Sequence, residues 1–112
     1  MANTNVITVT SEEQLHQVLT QNNKVLLDYY ATWCGPCKQL APVLDEVSTE
    51  VSNVVICKMC IDDEKLGKFA YANGVRSIPT LEYYKNGSKT HQSKGFLTKN
   101  QLLTEIDTHF NN

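Results

Sequence analysis

Residues 24–38 read KVLLDYYATWCGPCK. The first eight of these residues are apolar almost throughout, apart from Asp28, which is typical of a central strand covered on both faces. Beyond Cys34 the apolar residues recur at three- and four-residue steps, which predicts a helix; they are Leu40, Val43, Leu44 and Val47. A pair of cysteines therefore lies where a buried strand ends and a helix begins.

The rest of the chain predicts strands that alternate with helices. Further strands are expected at residues 6–9, 53–61 and 80–85, and Asn86-Gly87 is a strong hairpin signal leading to a partner strand that runs towards Gly95. Capping boxes at Ser11/Gln14 and Thr98/Gln101 open two more helices, and a short helix carries Leu66, Phe69 and Ala70. The predicted fold is α/β: a mixed sheet, with a parallel core plus an antiparallel hairpin, flanked by helices on both faces.

Composition limits the class of protein. A chain of 112 residues with 41% hydrophobic and 20% charged residues is expected to form one domain over residues 1–112. It lacks the run of roughly 20 apolar residues that a transmembrane helix needs, and residues 1–5 do not resemble a secretory signal. With a net charge of −2 and no basic block, nucleic acid is not expected as a partner. We therefore expect a cytoplasmic protein that binds neither membranes nor nucleic acids.

The spacing of Cys34 and Cys37 favours redox chemistry. A thiolate at a helix N-terminus is stabilised by unpaired backbone N–H groups and by the helix dipole. Residues three apart on the first turn face the same side, and Pro36, after Gly35, suits a first turn because it has no N–H. The alternative is a structural disulfide, but closing a loop of about four residues would contribute only on the order of 2 kcal/mol.

The motif WCGPCK at residues 33–38, with Ile78-Pro79-Thr80 and Lys85-Asn86-Gly87 downstream, resembles the thioredoxin family. The resemblance implies the thioredoxin fold and a thiol–disulfide oxidoreductase. Cys34, the more exposed thiol, would attack a client disulfide, and Cys37, one turn deeper, would resolve the mixed disulfide. It further implies a monomer without a bound cofactor, recharged with electrons from NADPH by thioredoxin reductase, whose other partners are disulfide-containing clients.

Asp28 is the second informative position. A carboxylate in an apolar strand is costly to bury, so its pKa should rise; the alternative is a strand-edge side chain that faces solvent. The resemblance implies that Asp28 relays a proton for Cys37 and that Lys58 lies nearby. It also implies a cis bond before Pro79 and assigns client binding to Trp33, Ser77, Ile78, Pro79, Thr80 and Gly95.

Other readings of the cysteines remain. Cys34, Cys37, Cys57 and Cys60 have the spacing of a four-cysteine zinc site. On a strand, however, the last two would lie about 10 Å apart on opposite faces, so we predict no metal and expect both to be small core residues. A binding module that retains the fold is a second alternative, and a disulfide-forming oxidant or isomerase is a third. The histidines, His16, His91 and His109, are interpreted as ordinary surface residues.

Overall fold

The computed structural model describes residues 4–111, in which five strands and four helices follow one another in the predicted order. The strands are β1 (Ile7–Val9), β2 (Lys24–Tyr30), β3 (Val55–Cys60), β4 (Thr80–Lys85) and β5 (Ser88–Lys94). The helices are α1 (Glu12–Gln21), α2 (Gly35–Glu50), α3 (Glu64–Ala72) and α4 (Lys99–Phe110). The predicted bounds of β1, β2 and β3 were too long, whereas β4 matches its prediction.

The five strands form one mixed sheet in the order β1-β3-β2-β4-β5. β3 runs parallel to both β1 and β2, whereas β4 runs antiparallel to β2 and to β5. At the hairpin both Asn86 (φ 53°) and Gly87 (φ 84°) have positive φ, as a two-residue turn between antiparallel strands requires. The predicted parallel core with an added antiparallel hairpin is confirmed.

Helices cover both faces of the sheet, because β2 alternates its side chains between two apolar cores. One core contains Val25, Leu27 and Tyr29 of β2 with residues of α1 and α3: Leu15, Val18, Leu66 and Ala70. The other contains Leu26 with residues of α2 and α4: Leu40, Leu44, Val47, Leu102, Ile106 and Phe110. Each fully buried leucine contributes about 1.5–3 kcal/mol. Asp28 shares the face of Leu26 and therefore points towards α2.

The two predicted capping boxes differ. At α4 both halves form: the Thr98 hydroxyl accepts from the Gln101 backbone, and the Gln101 side chain accepts from the Thr98 N–H. At α1 the Ser11 hydroxyl accepts from the Gln14 N–H at 3.0 Å, but the Gln14 side chain accepts from Thr10 instead. The prediction of a full box at Ser11 is therefore wrong, because the neighbouring Thr10 N–H offers Gln14 an alternative donor.

The strands at the two edges of the sheet are short or polar. β1 has three residues, and β5 is largely exposed and carries Lys89 and Lys94. The pairing of β4 with β5 shifts register between Tyr83 and Tyr84, which marks a bulge.

A buried carboxylate ties β5 to the sheet. Glu82 of β4 has no exposed surface and accepts hydrogen bonds from the hydroxyls of Tyr29 (2.9 Å) and Tyr84 (2.8 Å). Its second oxygen accepts from Lys89 (3.2 Å) and Gln92 (3.1 Å), both on β5. All four donors converge on one side chain, so the edge strand is anchored through its side chains as well as its backbone.

His91 and His109 contradict their interpretation as ordinary surface residues. Their rings, from β5 and α4, stack at 3.6 Å with an angle of 13° between planes, and both are half-buried. The rings also pack against Tyr83, whose hydroxyl donates to Glu105 at 2.7 Å. The contact joins residues eighteen apart in sequence, which no local pattern reveals. His16 is exposed, as expected.

Candidate active site

The cysteine pair lies at the first turn of α2. Cys34 is the N-cap residue of this helix, and the backbone N–H of Cys37 donates to its sulfur at 3.2 Å. Gly35 and Pro36 lie between them, and the missing N–H of Pro36 breaks no hydrogen bond because the first N–H groups of a helix have no partner within it. The helix start therefore directs an N–H group and the positive end of its dipole at the Cys34 sulfur.

Cys34 and Cys37 form a disulfide, with their Cα atoms 5.2 Å apart. Both are buried, 5% and 4% exposed, so exposure hardly separates them in this oxidised state. Their surroundings do separate them. Cys34 Sγ lies 3.8 Å from the carbonyl oxygen of Ile78, whereas Cys37 lines a small cavity shared with Asp28.

Residues 77–79, immediately before β4, form a wall beside Cys34. The bond between Ile78 and Pro79 is cis, as the resemblance implies. The Thr80 hydroxyl donates to the carbonyl of Ser77 at 2.6 Å and closes this short turn. The predicted client-binding segment is thus held beside the cysteine pair.

Gly95 extends this wall. Its N–H donates to the carbonyl oxygen of Pro79 at 2.9 Å, immediately after β5 ends. Its φ of +90° lies in the left-handed region, which favours glycine. The position therefore requires glycine for its backbone conformation, and a Cβ added there would meet no atom within 4 Å.

Trp33 is the most exposed large hydrophobic residue of the site, at 71%. Its Nε1–H donates to Asp62 at 3.0 Å, and Asp62 also accepts from the backbone and hydroxyl of Thr32. The hydrogen bonds from Thr32 lower the pKa of Asp62, so this carboxylate is ionised at neutral pH. The indole is thus held in place while its ring faces solvent.

No motif in the sequence marks Thr32 or Asp62 as residues of the site. The available signal was that β2 and β3 are parallel, so the residues after each strand meet at the same edge of the sheet. The hydrogen bond from the Ile61 N–H to the Tyr30 carbonyl, 2.8 Å long, shows this meeting.

Asp28 is 3% exposed, so the alternative of a solvent-facing side chain is wrong. Its Oδ1 has no hydrogen-bond partner among residues 4–111. Burial raises its pKa from 3.8 to about 7, and the charge of Lys58 opposes part of that rise. A cavity of about 30 Å³ lies between Asp28 and Cys37. The predicted rise of the pKa is confirmed.

Lys58 lies directly opposite Asp28 in the register between β2 and β3. It also lines the small cavity, and its Nζ lies 5.6 Å from the centre of the Tyr30 ring. The predicted proximity of this lysine to Asp28 is confirmed. Its half-buried position allows the aliphatic stem to pack while the ammonium stays near solvent.

The remaining cysteines do not form a pair. Cys57 is fully buried in the core beneath α1 and α3, and burial raises its pKa to about 12. Cys60 is half-buried, so the prediction of a core residue is wrong for Cys60. Three residues apart on a strand, the two point to opposite faces. Within residues 4–111 no group of three or more His, Cys, Asp and Glu side chains could hold a metal ion.

The disulfide between Cys34 and Cys37, at the start of α2, can exchange with a thiol or a disulfide of another molecule, which is the chemistry of a thiol–disulfide oxidoreductase. The family model for thioredoxin matches residues 5–108. The thioredoxin of Pseudomonas aeruginosa is 40% identical over 105 residues, which cover 93% of this chain and 95% of that protein. The chain therefore belongs to the thioredoxin family, and the resemblance is confirmed.

Other relatives agree. The thioredoxin of Haemophilus influenzae is 45% identical over 93 residues, which cover 82% of this chain and 85% of that protein. Among solved structures, thioredoxin from Nicotiana alata matches with a TM-score of 0.86 and 28% identity, covering 97% of this chain and 96% of that one. Plasmodium falciparum thioredoxin matches with a TM-score of 0.82 and 31% identity, covering 93% and 99%. The fold is the thioredoxin fold.

Proposed function

We propose that the chain is a dithiol reductant of client protein disulfides, in which Cys34 attacks and Cys37 resolves. The observation that carries the proposal is the position of the Cys34 sulfur. It caps α2, accepts the Cys37 N–H, and lies 3.8 Å from the Ile78 carbonyl on the side where Trp33 is exposed. A client disulfide approaching this face reaches the sulfur of Cys34 first.

The exchange takes two displacements, starting from the reduced pair. The Cys34 thiolate attacks one sulfur of the client disulfide, a mixed disulfide forms, and the other client sulfur leaves as a thiolate. The Cys37 thiolate then attacks the Cys34 sulfur, the mixed disulfide breaks, and the second client thiolate leaves. The client gains two electrons, and Cys34 and Cys37 lose the same two as their disulfide forms.

Asp28 serves the second displacement by accepting the proton of Cys37. Its pKa of about 7 matches this task at neutral pH. The cavity of about 30 Å³ between the two side chains has room for one water molecule that would carry the proton. Lys58, opposite in the sheet, stabilises the carboxylate form of Asp28, which is the form that accepts this proton.

Client chains are held by the wall and the indole around Cys34. An extended segment would lie against the backbone of Ser77, Ile78 and Thr80, with the turn at Pro79 and Gly95 beside it. Trp33 covers the segment from the side. The hydrogen bonds that fix these groups to one another support a preformed surface.

The proposal extends to the electron source and the setting. The chain works as a cytoplasmic monomer with no bound cofactor, and thioredoxin reductase returns it to the dithiol with electrons from NADPH. Membership of the thioredoxin family supports this proposal. Within residues 4–111 no helix has the length and apolar character needed to cross a membrane.

Reduction of insulin disulfides, with dithiothreitol as the electron source, tests the reaction. We expect catalysis by the wild-type protein, no turnover by Cys34→Ser, and mixed disulfides trapped on Cys37→Ser because the resolving thiol is missing. Trapping on Cys34→Ser instead would reverse the two roles. Absence of catalysis by folded wild-type protein would refute the proposal.

Two further measurements test the electron source and the role of Asp28. Replacing dithiothreitol by NADPH and a thioredoxin reductase should sustain turnover, and failure with several reductases would remove that partner. Asp28→Asn should slow turnover more than it raises KM, because it acts after the client has bound. A turnover rate of Asp28→Asn that equals the wild-type rate throughout the neutral pH range would remove Asp28 from the mechanism.

A further inference from the structure

A groove of about 390 Å³ lies beside the cysteine pair, between Trp33 and α3. Ala70, Val75 and Ile78 are among the residues that form its apolar floor. Two aromatic rings stand at its rim, Trp33 at 71% exposure and Tyr71 at 64%. We call this surface the Trp33–Tyr71 groove. It is continuous with the wall at Ile78, so a chain bound to Cys34 passes through it.

The groove is built on rigid elements. Gly67 of α3 lies so close to the end of β3 that a Cβ there would be 2.9 Å from the carbonyl oxygen of Ile61. This close approach fixes the distance between α3 and the sheet. Trp33 is fixed separately, through its hydrogen bond to Asp62. The two sides of the groove are therefore held at a set separation.

One cation is anchored at the rim. The guanidinium carbon of Arg76 lies 3.7 Å from the centre of the Tyr71 ring, an arrangement that favours a cation–π interaction. Its Nη1 donates to the backbone carbonyls of Tyr71 (2.7 Å) and Val75 (3.2 Å). Stacking and two hydrogen bonds thus hold the charge in one place.

No ion pair within residues 4–111 neutralises the charge of Arg76. Both of its hydrogen bonds there come from Nη1. Arg76 lines the groove, and its Nε and Nη2 make no hydrogen bond within residues 4–111, so the planar guanidinium can bind a carboxylate there. On the other side, Asp62 places a negative charge next to Trp33. The two ends of the groove carry opposite charges.

We propose that Arg76, at the rim of the Trp33–Tyr71 groove, selects client segments that carry an Asp or Glu side chain close to the attacked cysteine. This selectivity rests on the proposed function, since it requires that Cys34 attack client disulfides. The charge pattern also makes the preference positional. An acidic residue is favoured on the Arg76 side and disfavoured on the Asp62 side.

A series of disulfide peptides tests the preference. Glu, Gln or Lys is placed in turn at each of the four positions on either side of the cysteine, and the second-order rate of reduction by the reduced protein is measured. We expect a Glu-to-Gln rate ratio of about three to ten at one or two adjacent positions on one side, since a stacked, partly exposed pair contributes about that much. The ratio should fall as salt is added.

Variants assign the preference to Arg76. Arg76→Gln should bring the Glu-to-Gln ratio to about one, and Arg76→Glu should invert it so that the Lys peptide reacts faster. This inversion is a gain for one peptide, which a folding defect cannot produce. Lys68→Gln is the matched control, because Lys68 is also an α3 cation but pairs with Glu64. It should leave the ratio unchanged.

The outcomes separate this inference from the proposed function. Reduction of every peptide at rates that ignore charge, or a ratio that persists in Arg76→Gln, overturns the selectivity and leaves the reductase intact. If the folded wild-type protein reduces neither insulin nor any peptide, the proposed function itself is refuted, and the selectivity with it.

Discussion

Replacing Asp28 by Asn should stabilise the protein at alkaline pH and leave its stability nearly unchanged in acid. In the unfolded chain this carboxyl ionises near its ordinary pKa of 3.8, whereas burial raises the pKa to about 7 in the folded protein. Between these values the folded state binds the proton more tightly, so the free energy of unfolding falls as the pH rises. The contribution is fully present below the lower pKa and is lost above the higher one.

The magnitude follows from the two pKa values. A rise from 3.8 to about 7 corresponds to about 4 kcal/mol. Asn has nearly the same volume as Asp and carries no charge at any pH, so the variant escapes this loss. The variant should therefore be as stable as the wild type near pH 4 and more stable near pH 8 by up to about 4 kcal/mol.

Urea unfolding of the oxidised proteins, followed by circular dichroism at both pH values, measures the difference. Asp107→Asn, the same substitution at an exposed position of α4, is the matched control. A stability difference of equal size at both pH values would mean that Asn changes packing rather than removing a buried charge. A wild type more stable than Asp28→Asn near pH 8 would refute the reasoning.

Three more perturbations test other parts of the fold. Glu82→Ala leaves the buried hydroxyls of two tyrosines without their acceptor. The free energy of unfolding in urea should fall by about 3 kcal/mol, which is more than for Glu105→Ala. Equal losses in the two variants would contradict the hydrogen-bond network around Glu82. Gly95→Ala should lower the free energy of unfolding by about 1 kcal/mol, because the φ of Gly95 is +90°. Gly35→Ala should lower it less, since a Cβ added at Gly35 would meet open space. The reverse order would contradict this account. Burial lowers the pKa of His91 below 6.5. The unfolded state therefore binds more protons, and His91 should reduce the free energy of unfolding as the pH falls below 6.5. The difference in this free energy between wild type and His91→Gln should change over that pH range, and a constant difference would exclude the contribution.

The sequence predicted those features that depend on neighbours along the chain. The apolar residues around Asp28 were enough to predict its burial and its raised pKa, and alternation along β2 then directs it at α2. The cysteine spacing at a strand–helix junction predicted the disulfide chemistry. The hairpin at Asn86 and Gly87 and the capping box at Thr98 are likewise local patterns.

Features that depend on which segments meet could not be predicted. Glu82 looks like an ordinary strand residue until β5 brings Lys89 and Gln92 to it. The stacking of His91 on His109 depends on how α4 crosses the sheet. Asp62 meets Thr32 and Trp33 only because the end of β3 lies beside the end of β2. The wrong interpretation of the two histidines has the same cause, since their contact joins residues far apart in sequence.

The two edge strands have a consequence for aggregation. Unpaired backbone at the edge of a sheet can pair with a strand of another molecule and begin an aggregate. Here β1 offers only three residues, and β5 presents Lys89, Lys94 and a bulge in its pairing with β4. Both borders of the sheet are therefore poor templates for β-aggregation.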